Sequence, residues 1–239
     1  MHPLQKKYQA QIEELAKAST RLGELGYVAS QGGNLSYRVE DDIVLITPTK
    51  VPKINIRFED IVIIDMQGRV LFAEEGRRPT GETPMHTHIF GKRPDIRGLI
   101  HAHPPILTGF AIAGCDYLER PLLPEAVIEV GPVMSVRYEE PISDKLAKAF
   151  DEVIDCSNAF LMKNHGVILL SYEGVSRALE LLEMVEAMAA SVLIAHLLGR
   201  VNSIPDEEIS NLENTMQTRG LAMPGKPGVK RSLKEIYGL

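Results

Sequence analysis

The sequence predicts a single α/β domain, a central and mostly antiparallel β-sheet flanked by helical layers. Three observations carry the prediction. Short apolar segments of strand length alternate with helical periods along the chain. Two pairs of strand-like segments meet at tight turns, Met66-Gln67-Gly68 and Asn164-His165-Gly166. No internal repeat and no linker divides the 239 residues.

The elements follow in order. Leu4, Tyr8, Ile12, Leu15, Ala16, Leu22 and Leu25 recur at spacings of three and four, a helix that Gly26 stops. Extended segments at 34–39, 43–47, 61–65 and 69–72 are each bounded by Gly, Pro, Asp or Asn. A helical period runs over 82–92, a buried strand over 97–102, and Pro104-Pro105 opens a helix at 106–113. A strand at 133–137 and a helix at 143–154, capped by Ser143, come next. Strands at 159–162 and 167–170 precede a long amphipathic helix, 173–198, with Leu179, Leu182, Val185, Ala189, Val192 and Leu193 on or near one face. The domain spans 1–239, and its polar, Gly- and Pro-rich tail from 202 is expected to be ordered in part by a neighbouring subunit.

Composition narrows the class. With 44% hydrophobic and 24% charged residues, 19 Gly and 15 Pro, the chain is neither disordered nor collagen-like. No apolar run approaches the roughly 20 residues that span a bilayer. Residues 1–10 carry lysines but no apolar core, unlike a secretory signal. Cys115 and Cys156 form no Cys-x-x-Cys pair and read as reduced thiols, so a cytoplasmic protein is expected. A net charge of −6 argues against a general nucleic-acid binder and leaves local pockets for anionic metabolites.

Chemistry concentrates in a few places. In the expected strand, His101 and His103 are two residues apart and share a face, so both rings can reach one ion. Two packed imidazoles satisfied by backbone would look the same in sequence. His165 sits in a turn between apolar strands, either a third ligand or a turn residue without a role. Three neutral imidazoles with an open position would make a catalytic divalent-metal site, with zinc the expected ion. Glu82 lies four residues before His86, and is either a carboxylate complementing a helix dipole or a base beside the metal. Loops at Ser30–Ser36, Thr47–Lys50 and Thr80-Gly81 expose backbone N–H groups, hydroxyls and a lysine that suit an anion, although glycine-rich turns often only turn.

Gly33-Asn34-Leu35-Ser36, Thr47-Pro48-Thr49, Pro79-Thr80-Gly81-Glu82 with His86, His101-Ala102-His103 and Asn164-His165-Gly166 together resemble the class II aldolase/adducin family, in particular its L-fuculose-phosphate aldolase branch. The resemblance runs from the first helix to the end of the long helix. It implies a fourfold homotetramer with active sites at subunit interfaces. It also implies a Zn2+ (or other divalent) site at His101, His103 and His165, with Glu82 as fourth ligand and catalytic base. Gly33, Asn34, Thr49, Lys50, Thr80 and Gly81 would bind the phosphate of a small sugar phosphate. The implied reaction is reversible cleavage of a ketose 1-phosphate to dihydroxyacetone phosphate and a short aldehyde through a metal-stabilised enediolate.

Three departures bear on the substrate. Thr80 and Gly81 replace two serines usual in that branch, Lys50 stands where glycine is common, and the stretch 124–131 lacks the tyrosine that protonates the leaving aldehyde. Tyr117 and Tyr138 only flank it. Within the family the alternatives are a sugar-phosphate 4-epimerase, whose members typically have aspartate where Glu82 stands, and a metal-dependent decarboxylase of a 3-oxo acid. An adducin-like interaction protein is disfavoured by the full set of Glu82, His101, His103 and His165 and by the absence of a long basic tail.

Overall fold

Strands that are apolar at consecutive positions need cover on both faces, and the fold supplies it. In the computed structural model, which describes residues 1–239, eight strands form one sheet. They are β1 (Asn34–Glu40), β2 (Ile43–Ile46), β3 (Val62–Asp65), β4 (Val70–Phe72), β5 (Gly98–Ala102), β6 (Val133–Val136), β7 (Ala159–Met162) and β8 (Gly166–Ser171). The order is β4-β3-β2-β1-β5-β8-β7-β6, antiparallel at every pairing except β6 with β7. The helices are α1 (Pro3–Lys7), α2 (Gln9–Glu24), α3 (Thr83–Lys92), α4 (Pro105–Ala113), α5 (Pro124–Glu129), α6 (Asp144–Ala149), α7 (Val175–Leu197), α8 (Asp206–Arg219) and α9 (Leu233–Tyr237).

Alternation along each strand sorts side chains between two helical layers. Leu45, Ile63, Ile100, Leu161 and Leu169 pack with α2, α4 and α7 on one face. Ile46, Ile64, Leu99, Phe160 and Ile168 pack with α3 and α6 on the other. This is the mostly antiparallel α/β layer architecture expected from the sequence. None of the helices is long and apolar enough to cross a membrane.

The structure differs from expectation in three places. The first helical period is broken at Tyr8, whose φ of −109° and ψ of 27° separate α1 from α2 while Tyr8, Ile12, Leu15 and Leu22 stay buried. The helix expected over 143–154 is capped by the Ser143 side chain but ends at Ala149, and a 3-10 turn carries the chain through Glu152. The third place is the tail, which carries two helices that the sequence did not announce, where Ile209 and Met216 of α8 and Leu233 and Ile236 of α9 enclose a small core against Val127 of α5. Two buried residues in fourteen make the α8 stripe too thin to stand out in sequence, and α5 is a helix of only six residues.

Candidate active site

Strand register brings distant residues together. Asn34 on β1 lies directly opposite His101 on β5, and both are on the sheet face that α3 covers, since their neighbours Leu35 and Ile100 belong to the other core. His103 follows the end of β5. His165 occupies the turn between β7 and β8, where Asn164 adopts a left-handed φ of 56°. Glu82 is the residue before α3.

The three imidazoles converge. Ring centroids of His101 and His103 are 4.7 Å apart, those of His101 and His165 4.8 Å, and those of His103 and His165 5.6 Å. Their ligand atoms all lie within 4.8 Å of one another. The carboxylate completes the cluster, with Glu82 Oε2 at 3.4 Å from His101 Nε2 and Oε1 at 3.5 Å from His165 Nε2.

The donor set fits a divalent cation. His101 Nδ1 lies 3.1 Å from the Val167 carbonyl oxygen, which can only accept, so the proton sits on Nδ1 and Nε2 presents its lone pair. That Nε2 lies 3.0 Å from His103 Nε2, close to the roughly 3.4 Å separation of two nitrogens on a tetrahedral ion with bonds of about 2.0–2.1 Å. Burial favours neutral rings. It pushes the pKa of His101 down to about 4 and lowers those of His103 and His165. Burial pushes the Glu82 carboxyl up, but nearby His101, the Asn34 hydrogen bond, His165 and His86 outweigh it and hold the group below the usual carboxylate range. At neutral pH the site is therefore three neutral nitrogen donors beside one ionised carboxylate.

Two glycines admit this geometry. At Gly33, with φ of 66°, a Cβ would overlap the Val28 side chain and lie 2.8 Å from the His101 carbonyl oxygen. At Gly166 it would lie 2.5 Å from both the Ala102 carbonyl oxygen and the His103 ring. Replacing Gly33 with alanine is expected to lower stability by about 2 kcal/mol or more, read by chemical unfolding, through the left-handed backbone and the overlap together.

The expected anion-binding residues fall into two groups. Thr49 and Lys50 are brought to the Thr80-Gly81 loop by a β-bridge between Pro48 and Pro79 and by the Thr49 N–H donating to the Arg78 carbonyl. Thr80 is buried, and its hydroxyl accepts from the Glu82 N–H at 3.4 Å. Asn34 differs, because both polar atoms of its side chain are already engaged, Nδ2 with Glu82 and Oδ1 with His86. Of the flanking tyrosines, Tyr117 OH is 3.2 Å from His196 Nδ1 and Tyr138 is exposed.

Sequence reasoning placed Ser36 only within the glycine-rich anion loop and gave Lys53 no role. Ser36 is fully buried and hydrogen-bonds His86. Lys53 is also buried, and its ammonium donates to the carbonyls of Gln31 and Val51 at 3.2 Å each, tying the glycine-rich loop to the segment after Lys50. Ser36 had a signal, its place two residues from Asn34 on one strand face; Lys53, between Pro52 and Ile54, has none.

Comparison with known proteins agrees with this architecture. The family model for the Class II Aldolase and Adducin N-terminal domain matches residues 13–193. A 3-oxo-tetronate 4-phosphate decarboxylase from Haemophilus influenzae is 30% identical over 86% of this chain and 97% of its own. A 5-deoxy-D-ribulose 1-phosphate aldolase from Bacillus thuringiensis is 29% identical over 89% of this chain and 98% of its own. A solved structure of an L-fuculose 1-phosphate aldolase superposes with a TM-score of 0.76 at 28% identity, over 87% of this chain and 96% of its own. By sequence and by fold, the chain belongs to the class II aldolase and adducin family.

Proposed function

We propose that the protein is a zinc-dependent lyase that reversibly cleaves a ketose 1-phosphate to dihydroxyacetone phosphate and a short aldehyde. The observation that carries this reading is the convergence of His101, His103, His165 and the ionised Glu82. A divalent ion held by these residues supplies Lewis-acid stabilisation for the negative charge that develops when a carbon–carbon bond beside a carbonyl breaks.

The chain's own groups do the rest. In the condensation direction Glu82 takes a proton from the carbon next to the carbonyl, and in cleavage it returns a proton to that carbon. Thr49, Lys50, Thr80 and Gly81, with the backbone at Gly33 and Asn34, hold the phosphate. Lys50 adds a positive charge there, compensating a hydroxyl missing at Gly81. The apolar side chains of Ile112, Leu193, Ile194, Leu197 and Leu198 are exposed at the ends of α4 and α7. An exposed apolar surface of this kind supports association of copies, as in a homotetramer with sites at its interfaces.

A second reading rests on a specific observation. Residues 124–131 carry no tyrosine, and loss of carbon dioxide from a phosphorylated 3-oxo acid needs no acid to protonate a leaving aldehyde. The similarity to the Haemophilus decarboxylase points the same way.

Assay of the metal-loaded enzyme on phosphorylated ketoses and 3-oxo acids separates the two. Release of dihydroxyacetone phosphate supports the aldolase, carbon dioxide supports the decarboxylase, and neither product rejects both. On whichever substrate is turned over, Glu82→Gln is expected to stay folded and metal-bound while turnover falls about a hundredfold or more. Unchanged turnover rejects Glu82 as the base.

A further inference from the structure

Behind Glu82 runs a buried chain of hydrogen bonds whose direction is fixed by donor chemistry. An ionised carboxylate only accepts, so Asn34 turns Nδ2 towards Glu82 Oε2, at 2.7 Å. Asn34 Oδ1 then faces His86 Nε2 at 2.5 Å, and because an amide oxygen cannot donate, Nε2 carries the ring proton. That leaves His86 Nδ1 with a lone pair, which accepts from the Ser36 hydroxyl at 2.6 Å. All four side chains are buried, Ser36 and His86 at 0% exposure. Burial holds His86 neutral, its pKa pushed down to about 3. His86 thus carries its proton on Nε2 whereas His101 carries its own on Nδ1, two opposite tautomers at one site.

Each link has one polarity, so the chain locks the carboxylate instead of merely touching it. We propose that Asn34 and His86 are positioning residues that hold the Glu82 carboxylate in a single orientation, with Oε2 held by Asn34 and Oε1 as the oxygen that exchanges the substrate proton. Oε1 has no such donor behind it and faces His165 Nε2. The proton assignment rests on the lyase reading above; the tautomer of His86 does not.

Nitrogen-15 spectra of the zinc-loaded enzyme, repeated after chelation, test the chain directly. The expected result is a neutral His86 protonated at Nε2 in both samples. A proton on Nδ1, or an imidazolium at neutral pH, overturns the proposal. Kinetics test the positioning role. His86→Phe is expected to lower kcat about tenfold or more, with KM and bound zinc unchanged within about twofold. His86→Gln, whose amide can still donate to Asn34, is expected to recover part of that loss. An unchanged kcat in folded His86→Phe, or a loss confined to KM, overturns the role. Should the phenylalanine variant fail to fold, the tautomer still decides. Should no ketose be cleaved while Nε2 carries the proton, the lyase reading fails and the buried chain stands.

Discussion

His103→Ala is expected to lose bound metal and turnover together, with metal affinity falling by about a hundredfold or more. The residue suits the test because of where it sits. His101 is within β5 and almost fully buried, so truncating it would leave a cavity in the sheet and confuse folding with ligation. His103 lies beyond the end of that strand and is only partly buried, while its backbone N–H still donates to the Tyr27 carbonyl whatever the side chain. Metal content by elemental measurement after dialysis, alongside a melting temperature, separates the outcomes. Full metal content in the variant removes His103 from the ligand set. Loss of metal with the melting temperature of the metal-free parent supports it.

The site was legible wherever the sequence pattern carried geometry, and hidden wherever the geometry came from strand pairing. His101 and His103 declare themselves by alternation, and the turn at Asn164-His165-Gly166 by its breakers between apolar strands. Most strand ends fall within a residue or two of expectation, because Gly, Asp and Pro interrupt apolar runs there. Asn34 was visible as part of a glycine-rich loop, but its distance from His101 depends on the register of β1 against β5, which no local pattern encodes. The same limit hid the engagement of its side chain by His86 and Glu82. Lys53 is a further case, since a charged residue reads as solvated until the rest of the chain closes around it. The helices of the tail are hidden for a related reason. They bury few residues each, and only the partner surface on α5 makes that sufficient.

Arg93→Met is expected to destabilise the protein by about 3–5 kcal/mol and to loosen the tail, although the residue lies outside the proposed site. Arg93 is completely buried at the end of α3. Its guanidinium donates to Asp95, to the carbonyls of Ile154, Ser157 and Gly225 and to Asn158 Oδ1. These partners come from the segment after α3, the turn at 154–158 before β7 and the tail beyond α8, so one planar cation fastens three parts of the chain. Methionine keeps much of the volume but leaves Asp95 without its counter-ion and strands buried acceptors without donors, which is where the cost arises. Tyr172 OH would still donate to the Gly225 carbonyl, so the tail is not wholly released. Urea unfolding gives the stability change, and limited proteolysis should show earlier cleavage around 225 than in the parent. Lysine at the same position retains charge but cannot present the fork of five N–H groups, and is expected to recover only a minor share. A stability loss below about 1 kcal/mol in both variants would mean that the tail is anchored by the apolar cluster of α5, α8 and α9 alone.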